Sequence, residues 1–325
     1  MLTVKKQKDK DFVILNLSDP QLGNDEWAPE HRNFRIFDKT VKTLIDRVHP
    51  DLITISGDLS WAGHTVSYEN YAVYLDKIGV PWSCVWGNHD NQGSAETVEA
   101  VVKEYLAHPL CLYERGDAAH GNGNFVIKIE EDGKPVSALI MMDSHDRMPY
   151  VKPDGTEEEA WAKLIPAQLD WYREQVEALR NEGCEDSVLL MHIPIYAYRD
   201  AFRAAFRADV DPASVKPDNS RGAAFWNEGF PSCEGVKYED ICSYPAEDGM
   251  MDVIEALGHT KHMIVGHDHV NNFIIPWRGT KLIYSLKCGA GCYWNPILNG
   301  GTVFTVGTAG VESVRHEFVD VSELL

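Results

Sequence analysis

The residues best able to do chemistry in this chain are Asp, Asn, Gln and His, and they recur in six short blocks. The blocks are Ser18-Asp19-Pro20-Gln21, Gly57-Asp58, Gly87-Asn88-His89-Asp90, Asp143-Ser144-His145-Asp146, Met191-His192 and Gly266-His267-Asp268-His269. Carboxylate, amide and imidazole groups without thiolate suit Mn²⁺, Fe or Zn²⁺ in a reactive centre better than a closed structural zinc site. Each block follows an apolar run: residues 13–17, 52–56, 80–86, 136–142, 188–190 and 262–265. Short runs rich in β-branched residues read as buried strands. Strands that end in such side chains point toward one crevice at the carboxyl edge of a sheet, where open α/β folds place ligands.

The elements that must position these blocks follow from periodicity. Residues 31–49 carry Phe34, Phe37, Val41, Leu44, Ile45 and Val48 at helical spacing, with Pro50 closing the segment. Residues 68–78 read as a second helix stopped by Gly79, and residues 94–107 as a third with Glu96 and Glu99 near its positive end. Strands alternating with helices imply a parallel sheet with right-handed crossovers. Residues 124–129 and 136–142 flank Asp132-Gly133 as a hairpin. Residues 166–181 form a helix with Pro in its first turn, and 249–257 another with Gly258 as its stop. Asn299-Gly300-Gly301 marks a late hairpin turn. Two stretches, 147–161 and 199–245, break this rhythm with Pro, Gly and acidic residues. They read as substantial insertions in one domain spanning residues 1–325, of the kind that form lids or binding loops.

Composition narrows the partners. With 44% apolar and 25% charged residues the chain is that of a globular protein, and its net charge of −20 opposes non-specific binding to nucleic acid or anionic membrane. No apolar run approaches the ~18 residues of a transmembrane helix, and residues 1–10 carry no signal-peptide core. The seven cysteines are scattered and read as reduced thiols, so a cytoplasmic location is expected. An anionic substrate would then need a local positive site, which bound metal ions can supply.

In order and spread the blocks resemble the signature of calcineurin-like metallophosphoesterases: Asp-x-(His or Gln), Gly-Asp, Gly-Asn-His-Asp, a later lone His and a closing Gly-His-x-His. The resemblance runs from Asp19 to His269, most of the chain. It is closer still to the single-domain branch similar to purple acid phosphatases, through Gly266–Asn271 and the His-Ile-Pro at 192–194. It implies an α/β fold of the αββα sandwich type, two mixed sheets flanked by helices with the active site at strand carboxyl ends. The implied reaction is dinuclear-metal-dependent hydrolysis of phosphomonoesters or phosphodiesters, of a small molecule or a phosphoprotein, by a hydroxide bridging two ions. The alternative is a scaffold or phospho-ligand-binding protein that kept the fold and lost the chemistry.

The resemblance also implies roles. Asp58 bridges the ions; Asp19, Gln21 and His269 complete one set of ligands, and Asn88, His192 and His267 the other. His89 donates a proton to the leaving group, Asp90 orients its ring, and Asp268 acts behind the ligands. Taken singly, an Asp at a strand end is a turn residue and a lone His a hydrogen-bonded one; the full order of blocks reverses that reading. Purple acid phosphatases place Tyr three residues after the bridging Asp, where this chain has Trp61, whose indole cannot ligate. Gln21 stands where many relatives have His, so a weaker first site is expected.

Weaker candidates lie outside the signature. Asp143 suits a loop or capping role and His145 a position at the rim. Arg199, Arg203 and Arg207 recur every four residues around Phe202 and Phe206, as a helix carrying an arginine stripe would. Such a stripe is either a solvated face paired with surplus acids or a clamp for a substrate anion. Trp61, Tyr196, Trp226 and Trp294 are candidates for an aromatic rim.

Overall fold

The apolar runs fold as strands and the amphipathic intervals as helices in the computed structural model, which describes residues 1–217 and 225–325. The chain opens with β1 (Leu2–Lys5), β2 (Phe12–Leu17), α1 (Arg32–Val48), β3 (Leu52–Ile55), α2 (Thr65–Ile78), β4 (Trp82–Cys84), the one-turn α3 (Asn88–Asn91) and α4 (Ala95–Ala107). It continues through β5 (Phe125–Glu131), β6 (Lys134–Met141), β7 (Arg147–Val151), β8 (Glu157–Trp161), α5 (Pro166–Asn181), β9 (Ser187–Leu190) and α6 (Ala197–Ala205). The last elements are α7 (Met250–Leu257), β10 (Thr260–Val265), β11 (Ile274–Trp277), β12 (Thr280–Tyr284), β13 (Gly300–Gly307) and β14 (Gly310–Phe318).

Seven strands form one sheet in the order β1-β5-β6-β9-β10-β12-β11, and five form a second in the order β14-β13-β2-β3-β4. Both are mixed: β6, β9, β10 and β12 run parallel, as do β2, β3 and β4, while β5/β6, β11/β12, β2/β13 and β13/β14 are antiparallel. Strand side chains alternate between faces, and that alternation builds the layers. Ile127, Leu139, Val188, Leu190 and Ile264 of the seven-stranded sheet pack with Ile14, Leu15, Ile53 and Ile55 of the five-stranded one, and with Ile36, Phe37 and Leu44 of α1. Their neighbours Val126, Ile140, Leu189, Met263 and Val265 turn the other way, onto Tyr172 and Val176 of α5, Phe202 of α6 and Ile254 of α7. The architecture is therefore helix, sheet, sheet, helix, as expected.

Helix ends fall where the sequence marks them. His49 closes α1 and Gly79 closes α2 in left-handed backbone, Ser94 caps α4 by accepting from Thr97 N, and Pro166 starts α5. None of the described helices is long and apolar enough to cross a membrane.

Three expectations need correction. Asn299-Gly300-Gly301 does not turn a hairpin; it leads into β13, and the turn lies between β13 and β14 at residues 308–309. Those glycines serve close approach instead, because a side chain on Gly301 would press on Leu15 and Leu44. The 147–161 stretch is not irregular but a two-stranded hairpin, β7 paired with β8. The arginine stripe breaks because α6 stops at Ala205: Phe206 turns extended, stacks on Phe202 at 4.9 Å and bridges to Trp226. Part of the 199–245 stretch, residues 218–224, lies outside the described residues.

Candidate metal centre

The carboxyl ends of β2, β3 and β4 in one sheet and of β9 and β10 in the other converge, and the ligand-type residues sit just beyond them. Asp19, Asp58 and His267 occupy left-handed backbone, at φ 51°, 53° and 75°. This region costs a non-glycine residue of order 1–3 kcal/mol, and such strain clusters at functional sites. Close approach is built into the neighbours too: a Cβ on Gly87 would overlap the Asp58 carboxylate and backbone nitrogen. Asp19, Asp58, Asn88 and His192 are buried, and His267 and His269 nearly so, whereas His89 is half-buried.

His192 is the hub. Its Nε2 lies 3.0 Å from Asn88 Oδ1, 3.3 Å from Asp58 Oδ2 and 3.3 Å from His267 Nδ1. Ligands bound at about 2.0–2.1 Å to one tetrahedral ion stand about 3.3 Å apart. Its Nδ1 faces Ser56 O at 2.7 Å, and since a carbonyl only accepts, that nitrogen carries the hydrogen and Nε2 offers the lone pair. His269 repeats the device: Nδ1 donates to Tyr293 O at 2.8 Å, and Nε2 faces Asp19 Oδ1 at 3.3 Å. Ligand atoms of Asp19, Asp58 and His269 all lie within 4.8 Å of one another. His267 Nε2 is buried without a hydrogen-bond partner. These donors fit divalent metal ions: Asp58, Asn88, His192 and His267 around one, and Asp19, Asp58 and His269 around a second.

Electrostatics in the metal-free protein carry the same mark. Burial alone would lower the His192 pKa, but the Asp58 and Asp19 carboxylates outweigh it and push it up to about 10. Burial would raise Asp19 and Asp58, yet the His192 charge holds both below the usual carboxylate range. Burial, reinforced by that same charge, pushes His267 down to about 3, so it stays neutral. Asp268 accepts from Tyr284 Oη and Cys242 N, and burial lifts it to about 7.

Other expected residues sit differently. Asp90 does not orient the His89 ring. It turns inward, accepts from Gly87 N and Asp58 N at 2.8 Å each and from Tyr68 Oη at 2.6 Å, and so fixes the strand ends. The ring partner is Gln92, whose Oε1 lies 3.0 Å from His89 Nδ1; Gln92 Nε2 in turn donates to Asp146 Oδ1 at 3.0 Å. Gln21 donates its Nε2 to Asp58 Oδ2 at 3.1 Å, while its Oε1 accepts from Lys287 Nζ at 3.0 Å. Asp143 anchors a loop by accepting from Asn91, Asn122 N and His145 N, and His145 Nε2 is engaged with Gln168. Arg203 pairs with Asp200 and Arg207 with Asp209, as a solvated face would, whereas Arg199 is part-buried and donates to Ser243. Trp226 lies in the core, whereas aromatic rings do line the centre. Trp161 packs edge-on to His267 at 4.3 Å with Arg147 stacked over it, Tyr293 lies flat on His269 at 4.1 Å, and Trp61 lies near His89.

Gln92, Trp161 and Lys287 are absent from the motif reading, and Asp146 stands in the fourth block without a role. Among those three, Lys287 has a signal: it follows the apolar strand β12, as the candidate ligands follow theirs.

The family model described as calcineurin-like phosphoesterase matches residues 12–271. Among curated relatives, phosphatase DCR2 of Saccharomyces cerevisiae is 28% identical over 90% of this chain and 50% of its own length. Probable inactive purple acid phosphatase 14 of Arabidopsis thaliana is 26% identical over 74% of this chain and 59% of its own. The chain thus spans about half to three-fifths of the length of these relatives. A dimetal phosphatase from Danio rerio shares the fold with a TM-score of 0.52 at 13% identity, over 94% of this chain and 98% of that one. With a matching model across most of its length and the ligand blocks gathered at one crevice, the chain belongs to the calcineurin-like phosphoesterase family.

Proposed function

We propose that this protein is a metal-dependent phosphoric ester hydrolase. The observation that carries the reading is the convergence of Asp58, Asn88, His192 and His267 at ligand spacing, with His89 set one residue from Asn88 at the open edge. Relatives named as probable inactive raise the scaffold alternative, but a scaffold has no physical need for this donor set together with a held His89.

Bound divalent ions supply Lewis acidity, which makes water nucleophilic at neutral pH and clamps phosphoryl oxygens. The chain's own groups do the rest. Gln92 Oε1 accepts from Nδ1 of His89 and Asp146 holds the Gln92 amide, so the His89 ring is fixed with Nε2 left for the leaving-group oxygen. Asp58 Oδ1 accepts from His89 N at 2.9 Å, which ties that residue to the metal-binding carboxylate. Trp161, Tyr293 and Trp61 shield the imidazoles from water and offer apolar walls to a leaving group. The substrate is a phosphomonoester or phosphodiester of a small molecule or a phosphoprotein.

The test is hydrolysis of an aryl phosphate and a bis-aryl phosphodiester by Mn²⁺-loaded and chelated protein, with turnover expected only when loaded. Loaded protein inert on both would favour the scaffold. His89→Ala should lower turnover of alkyl esters by about 10²–10⁴-fold, the usual range for general acid catalysis, and of nitrophenyl esters far less, since nitrophenolate leaves without a proton. Gln92→Leu should show the same leaving-group pattern more mildly. An equal loss on both ester types would remove His89 as the acid.

A further inference from the structure

The two ion seats are not equivalent, because one is bordered by a cation of the chain's own. Lys287, just beyond β12, is 3% exposed; its Nζ donates to Asp19 O at 2.6 Å and to Gln21 Oε1 at 3.0 Å. Both acceptors are neutral oxygens; burial draws the Lys287 pKa below the ordinary lysine value, while the nearby Asp19 and Asp58 carboxylates act to keep the proton on it. An ammonium has only donors. The atom of Gln21 that meets it is therefore the oxygen, and the amide NH₂ is what faces Asp58 Oδ2. For the oxygen to reach an ion beside Asp58 the amide must turn over. That sets NH₂ against ammonium and breaks both hydrogen bonds.

We infer that Lys287 makes the centre unequal: one divalent ion is held tightly by Asp58, Asn88, His192 and His267, and the Asp19–His269 seat binds a second about a hundredfold more weakly. The weak seat lacks Gln21 as a ligand, because the amide oxygen is committed to Lys287 Nζ, and it is bordered by that buried amine, which also holds Asp19 O. The ammonium takes over part of that ion's work by balancing Asp19 and Asp58. This inference rests on the metal-dependent reading above and adds the ion count to it.

Elemental analysis of the full chain after Mn²⁺ loading and gel filtration is expected to give one ion per chain, with calorimetry resolving one tight and one weak site. His269→Ala should keep the tight ion and His192→Ala should lose it, a contrast that leaves Lys287 untouched. Lys287→Met combined with Gln21→His should bring the count to two and the affinities within tenfold, whereas Lys287→Arg should keep it at one. Two equally tight ions in the unaltered protein, or loss of the tight ion in His269→Ala, overturn the inference and leave the metal-dependent reading standing. No tight ion in the unaltered protein, with no ester hydrolysis, overturns both.

Discussion

Replacing Asp58 by asparagine should strip the centre of its metal and its turnover together. Asp58 is buried between two seats, its oxygens 3.3 Å from His192 Nε2 and 3.1 Å from Gln21 Nε2, and it accepts from His89 N. An amide there removes the charge and turns a donor NH₂ toward groups that already donate. Removing one partner from a buried charge set costs about 3–5 kcal/mol, which is about 10²–10³-fold in affinity or more. Metal content after loading and ester turnover should fall in parallel. Full metal occupancy in Asp58→Asn would remove this carboxylate from the ligand set. Asp90→Asn, one contact further out, should cost less metal and more fold stability, because Asp90 holds backbone nitrogens.

Metal affinity should also climb with pH. In the metal-free protein His192 is protonated until about pH 10, because Asp58 and Asp19 outweigh the effect of burial. The extra proton sits on Nε2, since Nδ1–H is committed to Ser56 O. An ion must displace it, while His267 is already neutral and Asp58 and Asp19 already ionised. Binding should then release about one proton and tighten about tenfold per pH unit from 6 to 9. The sign for the metal-free fold is opposite. The raised His192 contributes its stabilisation fully below its ordinary value of 6.5 and loses it as pH rises toward about 10. Calorimetry at pH 6, 7 and 8 in two buffers of different ionisation enthalpy measures the released proton. Affinity flat across that range would mean that His192 is not displaced.

The layers and the crevice were legible because strand and helix periods speak plainly here. Runs such as 52–56 and 188–190 form β3 and β9 with candidate ligands at their ends. What stayed hidden depends on contacts between distant segments. Gln92 reaches His89 by a helical turn, but its anchor Asp146 comes from 54 residues further on. Lys287 meets Gln21 across 266 residues, and a lysine after a strand ordinarily reads as solvated. The resemblance sets Asp90 on its neighbour's ring, whereas its place in a one-turn helix points it at the backbone of Gly87 and Asp58. The Arg199, Arg203 and Arg207 spacing was helical on paper. The helix gave way at Phe206, where stacking on Phe202 and the bridge to Trp226 outweighed continuation. Glycine signals were ambiguous for a similar reason: Gly300-Gly301 carries the marks of a turn, yet close packing is what uses them.

The candidate ligands divide between the two sheets. Asp19, Asp58 and Asn88 hang from β2, β3 and the end of β4, and His192, His267 and His269 from β9 and β10. An ion held by Asn88 and His192 is thus a rivet through the sandwich, closing a span of 104 residues much as a cross-link would. Chelation then acts as a mechanical release: it removes one fastening between the sheets at their open end, leaving apolar packing and hydrogen bonds such as His192 to Ser56 O and Lys287 to Asp19 O to resist their parting.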